Sequence, residues 1–175
     1  MSELFSIQLQ NRQQQGRDGV WLDLPTTTEQ VQAALRQIGI SSDNPQGLFI
    51  SGYFAEEEKR FAIPYNMVLA SNVDELNFLA ARLETLSAGE RAELNAALQA
   101  PQSELSSIGK ITDFPENVEY YVYLPDVRGP AQLGDYYLNR SGMVNMPEEW
   151  KGGIDTAQFG RYVAQQEQGA FTQYG

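Results

Sequence analysis

Two short segments near the start of the chain decide its fold class: Leu4-Phe5-Ser6-Ile7-Gln8-Leu9 and Val20-Trp21-Leu22-Asp23-Leu24. In both, apolar side chains alternate with more polar ones, which is the period of a strand with one buried face. The turn-forming residues Gly16-Arg17-Asp18-Gly19 separate the two segments, so the pattern predicts a β-hairpin. Leu48–Phe54 is typical of a further strand.

A helix follows the hairpin. Thr26 with Glu29 three residues later matches a capping box, and Gly39 is suited to end the helix. Between these limits, four apolar residues recur at helical spacing: Val31, Ala34, Leu35 and Ile38. The pattern predicts a small strand-rich α+β unit over about residues 1–65.

The middle of the chain has helical character. Asn72 with Glu75 and Ser87 with Glu90 are two further capping-box patterns, and each opens an amphipathic run. The predicted buried faces are Leu76, Leu79, Ala80 and Leu83 in the first helix, and Leu94, Ala97 and Leu98 in the second. The link between them is short, so we expect two antiparallel neighbouring helices within a unit at residues 66–112.

The last third of the chain mixes strand and helix patterns. Tyr120–Leu124 has strand propensity, and Gly169–Tyr174 resembles a closing strand. Pro130 and Gly142 are suited to begin and end a helix whose apolar face is Leu133, Tyr136, Tyr137 and Leu138. Asp155 is suited to cap a helix carrying Phe159, Tyr162 and Val163. The fold class is therefore α+β, with a third unit at residues 113–175.

The chain contains no histidine and no cysteine. These absences exclude Ser-His-Asp and Cys-His catalysis, thiolate metal sites and most zinc chemistry. Hydrolysis by carboxylates alone, or a Mg²⁺ site, needs neither histidine nor cysteine. The sequence, however, has no phosphate loop, nucleotide-binding glycine motif or EF-hand spacing. We expect neither an enzyme nor a bound cofactor or metal.

The chain has 23 acidic and 12 basic residues, which gives a net charge of −11. Phosphates and anionic membranes bind basic surfaces, so this balance argues against direct nucleic-acid or membrane binding and favours a basic protein partner. Acidity that serves only solubility is the alternative. Neither a signal peptide nor a membrane span is evident, which predicts a cytoplasmic protein.

Carboxylates in several predicted loops and helix starts are candidates for partner binding: Glu56, Glu57, Glu58, Asp74, Glu75, Glu84, Glu90, Glu93, Asp126, Asp135, Glu148, Glu149 and Asp155. On the two middle helices they would form a ladder resembling a phosphate backbone. Ordinary alternatives are solvated loops and helix-dipole partners. Duplex DNA carries about one charge per 1.7 Å, so even 23 aligned carboxylates match only about a dozen base pairs, and a dimer would present a more useful length.

The order of several motifs resembles the ArdA antirestriction family over nearly the whole chain. These motifs are Leu76-Asn77-x-Leu79-Ala80-x-x-Leu83 with Leu86, then Tyr136-Tyr137, Gly142, Pro147, Ile154-Asp155 and Gly160-Arg161. The resemblance implies an elongated, curved chain of three units, with a strand-rich N-terminal unit, a helical middle and a C-terminal α/β unit. It also implies a homodimer, encoded on a mobile genetic element, that inhibits Type I restriction-modification enzymes by imitating bent B-form DNA.

In that family, the segment from the aromatic pair to the glycine is tied to dimerisation and antirestriction. The corresponding residues here are Tyr136, Tyr137, Gly142, Met143 and Val144. Acidic residues often lie between the pair and the glycine, whereas this chain has Asn139 and Arg140. The activity or the partner enzyme is therefore open to difference, and an acidic interaction module that binds another basic partner is the competing hypothesis.

Overall fold

A three-stranded antiparallel sheet forms from the alternating segments that the sequence identified. β1 spans Phe5–Asn11, β2 Val20–Leu24 and β3 Leu48–Phe54, in the order β2-β1-β3. The computed structural model describes residues 3–14, 18–41, 43–101 and 103–175. The predicted hairpin is confirmed, with Phe5 opposite Leu24 and Leu9 opposite Val20. Gly16 and Arg17 of the predicted turn lie outside the described residues.

Helix α1 spans Thr28–Gln37, and its capping box lies one residue later than predicted. The Thr27 hydroxyl accepts from the Gln30 N–H, and the Gln30 amide oxygen accepts from the Thr27 N–H. The predicted box at Thr26 and Glu29 is wrong because Thr26 is already engaged. Its backbone N–H and C=O are both bound by the side chain of Asn77. Gly39 ends the helical turn with a φ of 70°, as expected.

Four further helices complete the first two thirds of the chain: α2 at Tyr65–Leu69, α3 at Val73–Glu84, α4 at Ala88–Gln99 and α5 at Ile108–Asp113. The predicted inward face of α3 is confirmed, because Leu76, Leu79, Ala80 and Leu83 are buried. In α4 only Leu94 of the predicted apolar set is buried, while Ala97 and Leu98 are half-buried. Helix α3 packs mainly against α5 and β2, not against α4 as the short link had predicted.

Three helices follow: α6 at Pro130–Asp135, α7 at Glu148–Lys151 and α8 at Thr156–Gln166. A π-helical turn at Tyr136–Arg140 continues directly from α6. Pro130 lies in the first turn of α6 and Asp155 caps α8, both as predicted. Helix α8 buries Val163, whereas Tyr162 is 60% exposed.

Both strands predicted beyond residue 113 are wrong. A 3₁₀ turn occupies Val118–Tyr120, and residues 121–124 and 169–174 form no strand. A strand needs a hydrogen-bonding partner, and among the described residues the sheet contains only β1, β2 and β3. The side chains of Tyr120–Leu124 favour a strand, but no neighbouring strand in the described part of the chain pairs with this segment. Mixed α+β architecture is nevertheless the correct class for the chain as a whole.

Contacts divide the chain into two compact units. Unit 1 is Met1–Arg91 with Glu104–Val118, and unit 2 is Ala92–Ser103 with Glu119–Gly175. The largest fully buried side chains of unit 1 are Ile7, Leu9, Leu24, Val68, Leu76, Leu79, Leu83, Ile108 and Ile111. Unit 2 has a core of Val127, Leu133, Tyr137 and Val163. The finer division into three units, at residues 65 and 112, stays a prediction.

Candidate partner-binding surface

The candidate carboxylates of α3 do not form a row along that helix. Because an α-helix turns about 100° per residue, Glu84 lies about 180° around the axis from Glu75 and about 80° from Asp74. Asp74 is exposed, whereas Glu75 and Glu84 are half-buried. Asn72 caps the helix by accepting from the Glu75 N–H at 2.9 Å. Helix α3 therefore directs Asp74 outward without presenting a ladder of its own.

An aromatic side chain shares the outward face of α3 with Asp74. Phe78 lies one helical turn after Asp74 and is 61% exposed. The sequence reasoning missed Phe78 as a surface residue. The helical spacing of the predicted buried residues Leu76, Leu79 and Ala80 leaves Phe78 outside their face. This spacing could have identified Phe78 as exposed.

Helix α4 carries Glu90 and Glu93 on one side. Ser87 and Glu90 form the predicted capping box: the Ser87 N–H donates to Glu90 Oε2 at 2.8 Å, and the Glu90 N–H donates to Ser87 Oγ at 3.3 Å. Hydrogen bonds from Ser87 lower the pKa of Glu90, so its carboxylate is held in the charged form. Glu93, three residues later, is only about 60° around the axis. Glu90 thus has a structural role besides any binding role.

Tyr123 lies close to two of the candidate carboxylates in unit 2. Burial raises the pKa of the Tyr123 hydroxyl, and the nearby negative charges of Glu93 and Asp126 raise it further, while Arg128 lowers it. Glu93 and Asp126 are far apart in sequence, so the fold brings them into one neighbourhood that the sequence did not predict.

The acidic run Glu56–Glu58 lies directly after β3, at the start of a 3₁₀ turn spanning Glu57–Lys59. All three carboxylates are exposed. Lys59 forms an ion pair with Glu56 at 2.9 Å, and Arg60 donates back to the carbonyl of Ala55. Both cations of this segment are therefore engaged within it, Lys59 by Glu56 and Arg60 by the backbone of Ala55. Glu57 and Glu58 point to solvent.

The candidate carboxylates in unit 2 are mostly engaged locally. Glu148 forms an ion pair with Lys151 at 2.6 Å, and Asp155 caps α8 by accepting from the Gln158 N–H at 2.9 Å. Glu149 and Asp126 are exposed. The Glu148 side chain is 81% exposed and that of Lys151 only 15%, so this ion pair is partly shielded from water.

No three carboxylates within residues 3–14, 18–41, 43–101 and 103–175 come together in a way that would hold a metal ion. Glu148 and Asp155 are engaged as described above, and Glu149 is exposed.

The sequence model of the family described as Antirestriction protein (ArdA) matches residues 15–175 of the chain. The chain belongs to the ArdA antirestriction protein family. Members of this family inhibit restriction enzymes rather than acting as enzymes, so antirestriction is the activity that the match assigns. A search of curated proteins found no match. Within the described residues, no helix has the length and apolar character needed to cross a membrane.

In this ArdA-family chain, Asn139 and Arg140 fold back on Asp135. Asn139 Nδ2 donates to Asp135 Oδ1 at 2.8 Å, and Arg140 Nε lies 3.6 Å from Asp135 Oδ2. The Arg140 guanidinium also lies 5.6 Å from the centre of the Tyr136 ring. These contacts reduce the negative charge that this segment presents.

The segment proposed for dimerisation contains both buried and exposed residues. Tyr137 is buried, and its hydroxyl donates to Glu167 at the end of α8. Burial, together with the hydrogen bond and negative charge of Glu167, raises the pKa of Tyr137 to about 12. Gly142 has a φ of 71°, Val144 is half-buried and Met143 is 73% exposed. Met143 is therefore the most exposed apolar side chain among these residues.

Proposed function

We propose that this ArdA-family protein imitates B-form DNA and occupies the DNA-binding groove of Type I restriction-modification enzymes. The observation that carries the proposal is the family match over residues 15–175. The net charge of −11 supports it, since a groove that binds phosphates is lined with cations and attracts a strongly acidic surface. This activity places the protein in the cytoplasm, where such enzymes meet DNA.

The proposed contact groups are the thirteen carboxylates that the sequence singled out. They are distributed over both units and lie on helices and in loops, so no single charge dominates. Binding would then depend on many modest ion pairs, each worth about 0–1 kcal/mol, and would weaken as salt screens them. The protein would act without chemistry and without a cofactor.

We also propose that the protein works as a homodimer through Tyr136–Val144. One chain with 12 basic residues among its 23 acidic ones imitates only a short length of duplex. Met143 supplies exposed apolar surface in the segment. Sedimentation equilibrium at micromolar concentration tests this: a mass of two chains is expected, and a strict monomer contradicts it.

The competing function is an acidic interaction module that binds another basic protein. The pairing of Asp135 with Arg140 favours it, because this pairing reduces the negative charge that the segment presents to a phosphate-binding groove. Such a module would bind basic proteins without displacing DNA from a Type I enzyme.

Displacement of DNA separates the two functions. The protein is titrated into a purified Type I modification methyltransferase holding a fluorescently labelled duplex, and the bound fraction is followed by anisotropy. Release of the duplex near stoichiometric amounts of inhibitor supports DNA mimicry. Retention of the duplex by several such enzymes at large molar excess contradicts it.

A further inference from the structure

Two aromatic side chains lie on the outer face of the sheet in unit 1. The inner face holds buried residues of all three strands: Phe5, Ile7, Leu9, Leu22, Leu24 and Ile50. On the outer face, Ser6 lies opposite both Asp23 and Phe54, and Gln8 lies opposite Trp21. Residues directly opposite each other share a face of the sheet. Trp21 is 49% exposed and Phe54 is 56% exposed, so the outer face presents apolar rings to solvent.

Gly52 allows the Trp21 ring to extend across the sheet. Gly52 lies on β3 and Trp21 on β2, with Gln8 of β1 between them. A Cβ atom on Gly52 would lie 3.0 Å from Cη2 of Trp21 and 3.1 Å from Cβ of Gln8. The indole therefore crosses the central strand and covers Gly52. Phe54 is two residues after Gly52 on β3, about 7 Å along the strand, and its side chain lies on the same face of the sheet. We call Trp21 and Phe54 together the aromatic platform.

Carboxylates lie at one end of this aromatic platform, which consists of Trp21 and Phe54. Asp23 is exposed in the same row as Phe54 and accepts from the Ser6 hydroxyl at 2.6 Å. Glu56–Glu58 follow Phe54 by two to four residues and are exposed. Among the ion pairs of the described residues, Glu56 is paired, while Asp23, Glu57 and Glu58 take part in none. The platform thus has an acidic rim.

We propose that the aromatic platform and its acidic rim bind arginine or lysine side chains that line the DNA groove of the target restriction-modification enzyme. The proposal rests on the proposed function, because that function supplies the enzyme. A guanidinium or ammonium group is attracted to the face of an aromatic ring, and a nearby carboxylate satisfies its charge. Exposed Trp and Phe beside carboxylates therefore complement a cationic surface. A second copy of the chain fits less well, since it would bring two acidic rims together.

This surface differs in kind from a phosphate imitation. Rings and carboxylates together recognise the side chains that hold DNA, and central aromatic–Arg contacts often carry most of the binding energy of an interface. Unit 1 would then contribute specific anchoring in addition to the long-range attraction of the net charge.

The test uses the displacement assay with four variants of the full chain. Trp21→Ala/Phe54→Ala removes the platform, and Trp21→Phe/Phe54→Tyr keeps two rings. Asp23→Lys reverses one rim charge at an exposed site, and serves if the double alanine variant does not fold. The matched control is Tyr120→Ala/Trp150→Ala, which removes two rings that are 78% and 66% exposed elsewhere.

Loss of the platform is expected to raise the concentration for half-displacement of DNA about tenfold or more. Asp23→Lys should raise it several-fold, while the ring-preserving and control variants stay close to the parent. Thermal melting checks that each variant is folded. Equal displacement by the parent and the platform variants overturns this inference and leaves the proposed function standing.

Three other results also overturn it. If the parent itself displaces no DNA, the proposed function fails and the inference falls with it. If Trp21→Ala/Phe54→Ala sediments as a smaller species than the parent, the platform joins two copies of the chain rather than binding the enzyme's cations. An equal loss in the control variant would show that the platform has no special role.

Discussion

At the scale of single residues, Asn77 connects α3 to the chain that leaves the sheet. Its Oδ1 accepts from the Thr26 N–H at 2.7 Å, and its Nδ2 donates to the Thr26 carbonyl at 3.0 Å. A side-chain amide can satisfy both backbone groups of one residue in this way, as a paired strand would. The contact fixes the path between β2 and α1, and the N-cap of α1 is Thr27 instead of Thr26.

Asn77→Ala should lower the free energy of unfolding by about 1–3 kcal/mol, because two partly buried backbone groups lose their partners. Urea unfolding followed by circular dichroism measures the change. Asn145→Ala, at an exposed loop position, is the control and should change it by less than about 0.5 kcal/mol. Equal stability of the two variants would contradict this account of Asn77.

Ionisation of Tyr137 should lower the stability of the folded protein at high pH. Its pKa is raised from 10.0 to about 12 in the folded chain by burial and by Glu167. An unfolded tyrosine ionises near pH 10, so above that pH ionisation favours the unfolded chain. The stabilisation from Tyr137 is therefore complete below pH 10 and is lost between pH 10 and about 12.

The comparison with Tyr137→Phe isolates this effect from the other tyrosines. The difference in unfolding free energy between parent and variant should shrink as the pH rises from 10 towards 12. Denaturant unfolding at half-unit pH steps measures it. A difference that stays constant over this range would show that the hydroxyl and Glu167 are not coupled.

At the scale of elements, α6 and α8 cross with their backbones in contact. A Cβ atom on Gly134 would lie 1.9 Å from the carbonyl oxygen of Thr156, and one on Gly160 would lie 1.8 Å from that of Pro130. Backbone cannot yield as a flexible side chain does, so both positions require glycine. The crossing positions the tyrosines of the π-helical turn, since it fixes α6 immediately before them.

Gly160→Ala should destabilise unit 2 by roughly 3 kcal/mol, because a methyl group in this crossing forces the helices apart. Gly89→Ala is the matched control, since a Cβ there has open space and glycine is a poor helix former. It should leave stability unchanged or raise it by up to about 1 kcal/mol. Differential scanning calorimetry of both variants provides the test. A Gly160→Ala protein as stable as the parent would show that α6 and α8 do not cross with their backbones in contact.

Three helix starts were predictable from the sequence because capping is local chemistry, whereas the predicted cap of α1 was one residue too early. Ser87 with Glu90, Asn72 and Asp155 all lie where their patterns placed them. The hairpin was predictable because its two strands are each other's partners. Tyr120–Leu124 failed as a strand because strand formation depends on a partner elsewhere in the fold, which side-chain propensity does not specify. The π-helical turn left no recognisable signal.

At the scale of the whole molecule, the acidic balance predicted a basic partner, but not which carboxylates would be available to it. Local contacts decide that: Glu56, Asp135 and Glu148 are ion-paired, whereas Glu57, Glu58 and Asp74 are exposed. The aromatic platform was visible in the sequence only as Trp21 on the polar side of an alternating strand. Phe54 joins it through strand pairing, which the sequence does not reveal.

Removing several middle-helix carboxylates together should weaken inhibition, while single replacements cost little. The variant Asp74→Asn, Glu75→Gln, Glu84→Gln, Glu93→Gln should require about tenfold more protein to displace DNA and show a weaker salt dependence. The control Asp43→Asn, Glu104→Gln, Asp113→Asn, Glu119→Gln changes the net charge equally at other sites. If both variants need the same extra amount of protein to displace DNA, inhibition depends on the net charge and not on where the carboxylates lie. Thermal melting measures any loss of stability that results from replacing acids at helix starts.

Competition with DNA is the central claim, and its most direct measurement is the half-inhibitory concentration of the protein at increasing duplex concentrations. With a Type I methyltransferase at fixed concentration, a protein that occupies the DNA groove must be outcompeted by DNA. The half-inhibitory concentration should therefore rise in proportion to the DNA concentration once the duplex exceeds its dissociation constant. A half-inhibitory concentration that does not change with DNA would show that the protein binds elsewhere and does not act as a DNA mimic.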